Sequence, residues 1–229
     1  TAVACAVRGN ISMKRLSELG YKKQITVISN PFEMPNSEQT EKDKEYDLVC
    51  VAGLVPLKGH RWLLEELVYV KKSYPEVKLA LVGTGSLENQ LRKIVNEAGL
   101  DNNVIFLGWQ EEAELQKTYS SSRALVLCSW HEGLPMCVIE AMSNALPVIV
   151  TEVGELPWLV GNNMTGKLVK YGDKGKLSSA ICEILSSEKL SKKLGDEAKK
   201  KILELQSDWS VETISRQWQL LLSSPGNKY

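Results

Sequence analysis

Apolar residues occur along this chain in two arrangements, as short continuous runs and as longer segments with a helical period. The continuous runs predict strands that are buried on both faces, which is typical of a parallel sheet covered by helices on both sides. Predicted helices lie between the runs at about 60–73, 86–98, 111–121, 135–145 and 154–161. The predicted strands cover residues 25–28, 47–52, 77–83, 103–108, 124–129, 147–150 and 166–170.

Regular alternation of strands and helices with short connections predicts an α/β fold with a doubly wound parallel sheet and right-handed crossovers. From residue 173 onward the pattern is helical only, so we expect extra C-terminal helices. Residues 31–46 are polar, contain two prolines and show no period, which favours a linker. The chain then divides into an N-terminal stub (1–30), the linker (31–46), a main domain (47–205) and a C-terminal helical segment (206–229).

Composition and charge exclude several classes of protein. Lys plus Arg and Asp plus Glu number 28 each, so no strong net field attracts nucleic acid, and we expect no nucleic-acid partner. The longest apolar runs are far shorter than the roughly 20 residues that span a bilayer. Five cysteines without a CxxC pair favour reduced thiols in a cytoplasmic protein, and no metal site is expected. The N-terminal residues lack a signal peptide and an initiator Met, which suggests a fragment or a processed chain.

Candidate chemistry lies at the carboxyl ends of the predicted strands, where open parallel sheets bind ligands. The first such turn reads "GLVPLKGH", in which Gly53 and Gly59 shape a tight turn around Lys58. A lysine held there suits a phosphate, although a solvated loop lysine would give the same pattern.

The second turn reads "GTGSLENQL". Gly83 and Gly85 have no side chains and leave the backbone accessible, and Ser86 is a predicted helix cap. Exposed backbone N–H groups at such a helix start suit an anion, but a tight turn also needs glycine for steric reasons alone. The stretch is neither a dinucleotide fingerprint nor a Walker loop, so neither nicotinamide nor ATP binding is supported.

The third turn reads "HEGLPMCVIE" and places two carboxylates around a helix start. Glu132 lies in the loop, Pro135 fits the first turn of the helix, and Glu140 follows on the helix itself. This spacing fits two interpretations. Either the two glutamates form a ligand-binding pair, or Glu132 is a charge at the helix start and Glu140 lies on a solvated helix face.

The surrounding string "SWHEGLPMCVIEAMSNALPVIVTEVGELPWLV" resembles the E-x7-E signature region of the family-4 retaining glycosyltransferases of the GT-B fold. Three further strings match in the family's order, "LVCVAGLVPLKGH", "VKLALVGTGSLENQLRKIVNEAGLDNNVIFLGW" and "TGKLV", and the resemblance covers about residues 25–222. It implies that the main domain is the Rossmann-like, donor-binding C-terminal half of a GT-B fold. The stub would then be the last part of the acceptor domain, and the last helix would cross back to pack on that domain. Trp209 and Trp218 would be partly uncovered in its absence, or else buried against the present domain.

The resemblance also implies roles for the candidate residues. Glu140 would accept hydrogen bonds from the ribose hydroxyls, Glu132 would address the donor sugar, and Lys58 would offset charge on the leaving diphosphate. The catalytic candidates are therefore Lys58 and Glu132. The donor-binding candidates are Gly53, Gly83, Gly85, Leu107, Trp109, Leu134, Met136, Cys137 and Glu140. Of these, Leu107 and Trp109 would line the nucleotide base, and Leu134 to Cys137 would provide backbone groups near the diphosphate.

The implied reaction moves a hexose-type sugar from a UDP- or GDP-sugar, with retention of configuration. No cofactor and no obligatory metal is expected. The acceptor would be a glycan or lipid-linked glycan bound by the preceding domain, which allows peripheral association with the inner face of a membrane.

Three positions depart from the family pattern, and the one at Gly53 supports an alternative function. The usual "P-N-G" after the early strand here reads Ser29-Asn30-Pro31. Gly53 stands where the family commonly has an arginine, and His60 and Arg61 are candidate substitutes on proximity alone. The frequent "GG-x-x-E" motif here reads Gly154-Glu155-Leu156-Pro157-Trp158. The alternative is therefore a catalytically weak nucleotide-sugar-binding or scaffolding module.

Overall fold

The computed structural model describes residues 4–35 and 44–223. The N-terminal stub forms a strand β1 (Ala4–Val7), a helix α1 (Asn10–Glu18) and a strand β2 (Gln24–Val27), and the two strands pair in parallel. The main domain contains a six-stranded sheet. Its strands are β3 (Tyr46–Val51), β4 (Leu79–Val82), β5 (Val104–Gly108), β6 (Ser122–Leu127), β7 (Val148–Thr151) and β8 (Gly166–Val169).

The strand order of the large sheet is β5-β4-β3-β6-β7-β8, and every neighbouring pair is parallel. The predicted doubly wound parallel sheet is therefore confirmed. The central neighbours β3 and β6 pair with Leu48 opposite Ala124 and Val49 opposite Leu125. The direction of winding reverses between these two strands, which opens a crevice at their carboxyl ends.

Helices cover both faces of the sheet, and each face has its own apolar core. Successive residues of β3 alternate between the two cores, since Leu48 and Cys50 belong to one and Val49 to the other. This two-sided burial explains why the strands are continuously apolar. The first core includes α2 (His60–Ser73), α3 (Glu88–Glu97) and α7 (Lys176–Ser186), the second includes α4 (Glu112–Ser120), α5 (Met136–Ser143) and α6 (Leu156–Val160), and α8 (Glu188–Leu205) contributes to both.

Two local predictions need correction. Helix α3 begins at Glu88 with Leu87 as its N-cap and has no side-chain cap, so the predicted cap at Ser86 is wrong. Helix α6 spans only Leu156–Val160, shorter than the predicted 154–161, because Gly154 and Gly161 at its two ends adopt positive φ angles of 56°.

The stub packs against the last helix, α9 (Val211–Ser223). A small apolar cluster joins Ile28 of the stub to Ile214 and Leu221 of α9. Trp209 is buried at 5% exposure, and its carbonyl accepts a hydrogen bond from the backbone N–H of Phe32 at 2.8 Å, whereas Trp218 is 38% exposed.

The predicted division of the chain stays a prediction. Residues 36–43 of the predicted linker and residues 224–229 of the C-terminal segment lie outside the described residues. Among the helices that the structure describes, none is both long and apolar enough to cross a membrane. All five cysteines are free thiols.

Candidate functional site

Three loops meet at the carboxyl edge of the sheet around the β3/β6 crevice, and backbone hydrogen bonds connect them. In the first two loops, the N–H of Leu54 donates to the carbonyl of Thr84, and the N–H of Leu87 donates to the carbonyl of Leu54, both at 2.9 Å. The N–H of Trp130 in the third loop donates to the carbonyl of Leu57 at 3.1 Å. The rim of the crevice is therefore one connected backbone structure.

Gly83 and Gly85 have a steric role in that rim. A Cβ atom at Gly83, whose φ is +130°, would lie 2.2 Å from the carbonyl oxygen of Ala52, and one at Gly85 would lie 2.4 Å from that of Leu54. Close approach of the first two loops therefore requires both glycines.

Lys58 and Glu132 form an ion pair across the crevice. The Nζ atom of Lys58 lies 2.7 Å from Oε1 of Glu132, and the hydroxyl of Ser129 donates to the same oxygen at 2.6 Å. The Glu132 side chain is only 8% exposed and that of Lys58 25%, so Lys58 is not a solvated loop lysine. Strand β7 supports this arrangement, because the hydroxyl of Thr151 donates to the carbonyl of Ser129 at 2.5 Å.

Glu140 lies on α5 and has a different partner. The hydroxyl of Tyr119, a fully buried residue of α4, donates to its Oε2 atom at 2.8 Å. Burial raises the pKa of the Glu140 carboxyl, and the hydrogen bond from Tyr119 opposes that rise. Nothing in the sequence pattern singles out Tyr119, whose position fits an apolar helix face.

The first turn of α5 lies between the two carboxylates. The helix starts at Met136 after Pro135, and no side chain caps it. Its first backbone N–H groups therefore suit an anion, as expected for Leu134 to Cys137. Burial raises the pKa of the Cys137 thiol, with the nearby Glu140 as a second cause, so the thiol stays neutral.

Leu107 and Trp109 lie at the end of β5, beside the second loop. The N–H of Gly83 donates to the carbonyl of Gly108 at 2.7 Å, which joins the two segments. Leu107 packs against the second core, whereas Trp109 is 73% exposed and its indole N–H donates to Glu111 at 3.4 Å. The structure therefore brings both residues to the same edge as Lys58.

Residues 33–201 match the family model described as "Glycosyl transferases group 1". The chain belongs to this family. The matched range includes all three loops of the crevice and excludes α1 and α9.

Curated glycosyltransferases are similar over most of this chain. An uncharacterized glycosyltransferase of Methanocaldococcus jannaschii is 28% identical over 88% of the chain and 58% of its own length. The lipopolysaccharide core biosynthesis glycosyltransferase LpsE of Rhizobium meliloti is 27% identical over 93% of the chain and 62% of its own length. The poly(ribitol-phosphate) alpha-N-acetylglucosaminyltransferase of Staphylococcus aureus is 26% identical over 88% of the chain and 40% of its own length. The chain thus spans less than two thirds of the length of these relatives.

Solved structures show the same fold. TarM of S. aureus, crystallised with UDP, superposes with a TM-score of 0.84 at 23% identity and covers 96% of this chain and 43% of its own. Sucrose-phosphate synthase of Thermosynechococcus elongatus gives 0.79 at 25% identity, covering 96% of this chain and 58% of its own. Anabaena HepE with UDP and glucose gives 0.81 at 21% identity, covering 97% and 63%. The expected fold, a Rossmann-like parallel α/β sheet of the kind found in GT-B glycosyltransferases, is confirmed.

Within this glycosyltransferase fold, Gly53 has no steric reason to be glycine. It is exposed, its φ lies outside the positive range, and a Cβ atom there would meet only the carbonyl oxygen of Thr84 at 3.8 Å. A larger side chain would therefore fit at this position.

The two candidate substitutes for the missing arginine do not supply its charge. His60 is buried at 2% exposure, and burial together with the charge on Lys58 lowers its pKa to about 4. The prediction that His60 provides a cation is wrong, because the ring is neutral near pH 7. Arg61 lies on the exposed face of α2, where its Nε atom donates to Glu65 at 3.0 Å.

Within residues 4–35 and 44–223, no group of three or more His, Cys, Asp or Glu side chains is arranged to hold a metal ion. The expectation that the glycosyltransferase needs no metal stays a prediction.

Proposed function

We propose that this chain is the donor-binding domain of a retaining family-4 glycosyltransferase, which transfers a hexose-type sugar from a nucleotide-diphosphate sugar to a glycan or glycolipid. The Lys58–Glu132 ion pair at the β3/β6 crevice carries the proposal. It places a cation and a carboxylate, both mostly buried, where a doubly wound sheet binds its ligand. Family membership then supports a nucleotide-sugar as that ligand.

UDP is the nucleotide that the related structures favour, since both TarM and HepE were crystallised with it. In this chain Glu140 would accept two hydrogen bonds from the ribose, because a carboxylate can take two donors at once. Leu107 and Trp109 at the end of β5 would line the base.

The ion pair suggests how the chain handles charge. With no donor bound, Lys58 and Glu132 compensate each other, so neither charge is left alone in a mostly buried site. When the donor binds, Lys58 would interact with the diphosphate, and Glu132 would accept hydrogen bonds from sugar hydroxyls. As the bond from the anomeric carbon to the diphosphate oxygen breaks, Lys58 would stabilise the developing negative charge. The acceptor oxygen would bond to the same face of the sugar, and its proton would pass to the departing diphosphate oxygen.

No cofactor or metal is needed in this scheme, because Lys58 and the N–H groups at the start of α5 neutralise the diphosphate. The names of LpsE and of the poly(ribitol-phosphate) transferase support a cell-surface glycan as acceptor. Such an acceptor agrees with a cytoplasmic protein at the inner face of the membrane, where lipid-linked glycans would be reached.

Glu140→Gln tests the nucleotide site. The amide has the size of the carboxylate but lacks its charge, so calorimetry should show UDP affinity reduced by about tenfold or more, as expected for loss of a charge-assisted hydrogen bond. Glu152→Gln is the matched control, because Glu152 is an exposed carboxylate just after β7. Equal UDP affinity for Glu140→Gln and the wild type would refute the assigned role.

The exposed, unhindered Gly53 favours a second candidate, a nucleotide-sugar-binding module with weak catalysis. Gly53→Arg adds the cation that the family commonly has, and we expect about tenfold tighter UDP binding. Gly53→Gln is the control for side-chain size. Release of UDP from UDP-glucose separates the candidates: turnover that appears only with Gly53→Arg supports the module, and wild-type turnover supports the enzyme.

A further inference from the structure

Glu155 is a wholly buried carboxylate outside the donor crevice. It accepts hydrogen bonds from the backbone N–H of Ile11 at 3.1 Å, from that of Ser12 at 2.7 Å and from the Ser12 hydroxyl at 2.6 Å. These donors form the first turn of α1, whose own N-cap residue, Gly9, has no side chain to cap it. Glu155, 143 positions away from Ser12, therefore caps a helix of the stub.

The stub is built to admit this carboxylate. A Cβ atom at Gly9 would lie 2.2 Å from both Cδ and Oε2 of Glu155. The φ of Gly9 is −169°, an extended value that any residue can adopt, so glycine is needed here for space alone.

The backbone around Glu155 contacts the loop of Glu132. The N–H of Glu155 donates to the carbonyl of Gly133 at 3.0 Å. Gly154 has a φ of +56°, and a Cβ atom there would lie 2.2 Å from the carbonyl oxygen of Glu132. One short turn thus contacts α1 through its side chain and the Glu132 loop through its backbone.

Packing beside this turn is incomplete. A cavity of about 350 Å³ lies between the stub and the C-terminal helices, lined by Gly9 and Asn10 on one side and by Trp158 and Trp209 on the other. The hydrogen bonds to Glu155 lie beside this cavity and join α1 to the start of α6.

We propose that Glu155 is a positioning residue that couples the stub to the loop carrying Glu132. The proposal rests on the proposed function and deepens it. A change in the position of α1 would reach Glu132 through the Gly154–Glu155 turn, without any contact between Glu155 and the donor.

Glu155→Gln tests the coupling, because the amide keeps the shape of the side chain and removes its charge. We expect amide hydrogen exchange about tenfold faster or more at Ile11 and Ser12 and also in residues 132–134. UDP affinity should stay within about twofold, since Glu155 lies outside the crevice. Turnover of UDP-glucose should fall by about tenfold to 100-fold with little change in KM, as misplacement of a catalytic group does.

Three further variants keep the test decisive. Glu152→Gln, the exposed neighbour, should change none of these readouts. Ser12→Ala removes one donor, and Ser17→Ala, an exposed serine on the same helix, is its control. In the Glu155→Gln background, Ser12→Ala should change the exchange rates and turnover little further, because the partner of Ser12 is already altered.

Faster exchange confined to α1 with unchanged turnover would overturn the coupling, since Glu155 would then only anchor the stub. The coupling would also be overturned if UDP affinity and turnover fell together in proportion to the fraction of unfolded variant, because unfolding alone would then explain both losses. If the wild type neither binds UDP nor cleaves UDP-glucose, the proposed function fails. In that case faster exchange in residues 132–134 of Glu155→Gln still supports the coupling, and unchanged exchange there still overturns it.

Discussion

The two carboxylates of the E-x7-E segment lie in unlike surroundings. Glu132 is paired with the Lys58 cation, whereas Glu140 is held by the neutral hydroxyl of Tyr119. The difference should be measurable as a dependence of nucleotide binding on pH.

Tyr119→Phe should raise the pKa of Glu140 further, because burial and the charge on Glu112 raise it and the lost hydrogen bond was the influence that lowered it. If the ionised carboxylate binds the ribose, UDP affinity in this variant should begin to fall at a higher pH than in the wild type as the pH is lowered. Calorimetric titrations between about pH 5 and 8 would measure the shift.

Stability has a related dependence on pH. Because the folded-state pKa of Glu140 lies above its ordinary value of about 4.3, the native state holds this proton more tightly. The contribution of Glu140 to the free energy of unfolding is therefore fully present below about pH 4.3, the ordinary pKa, and is lost as the pH rises through the raised pKa.

The control for Tyr119→Phe is Tyr46→Phe, because the hydroxyl of Tyr46 donates to Glu45 and not to Glu140. Identical pH profiles for Tyr119→Phe and the wild type would contradict the role of the hydrogen bond.

At the residue scale, motifs predict which side chains lie at the crevice, whereas burial depends on the folded chain. Lys58 and Glu132 come from two separate loops, and the structure brings them within 2.7 Å of each other. Their roles toward a donor stay predictions. Proximity alone proposes His60, but its ring is buried, and burial lowers its pKa to about 4. Tyr119 is not predictable, because nothing in a local helical pattern shows that its hydroxyl meets Glu140.

Among the elements, the strand-to-helix turns are the most constrained. Between β3 and α2, the residues Pro56–Lys58 form a 3-10 turn that ends at Gly59. Gly59 has a φ of +68°, and a Cβ atom there would lie 2.0 Å from the carbonyl oxygen of Cys128 at the end of β6. This turn therefore holds Lys58 against the neighbouring strand.

Gly59→Ala should lower the free energy of unfolding by about 2–4 kcal/mol, since it adds both backbone strain and a backbone clash. Gly53→Ala, six residues earlier in the same loop, should leave stability unchanged or raise it by about 0.4–1 kcal/mol, because alanine restricts the unfolded chain. Urea denaturation of the two variants measures the difference. Similar stabilities for the two variants would show that the turn is not fixed against β6.

The elements themselves were largely predictable, because strands buried on both faces give continuous apolar runs. Their ends were less so. Leu87 rather than Ser86 is the N-cap of α3, and the N–H of Leu87 donates to the carbonyl of Leu54 from another loop. A tertiary contact of this kind leaves no local trace in the sequence.

On the scale of the molecule, the described part of the stub contacts the rest through an apolar cluster with α9 and through the cap provided by Glu155. Because this apolar cluster is small, the stub should open independently of the main sheet. The chain would then have two levels of stability.

Ile214→Ala should lower the free energy that is needed to open the stub. The decrease should be at most about 2–5 kcal/mol, which is the usual cost of replacing a buried isoleucine by alanine. Native-state hydrogen exchange should show faster exchange in β1 and β2 and no change in β3 and β6. Leu222→Ala is the control on the same helix, because that side chain is 65% exposed. Uniformly faster exchange throughout the chain would instead mean that the stub and main sheet unfold together.

The overall topology followed from alternation of strands and helices, but the long-range junction did not. Glu155 and Ser12 are 143 positions apart and belong to segments that the sequence assigned to different parts of the chain. Their contact depends on Gly9 and on how α1 meets α6, which only the folded molecule determines.

The strand order has a consequence for how the chain reaches its native state. Strands β3 to β5 and strands β6 to β8 form two sequence-local halves of the described sheet, and the strands of the two halves pair along β3 and β6. Lys58 belongs to the first half and Glu132 to the second, 74 positions later. The proposed nucleotide site draws on both halves, so it cannot exist in a chain in which only one half has formed. Nucleotide would therefore bind after the two halves have joined, protecting the finished sheet from coming apart without helping either half to form.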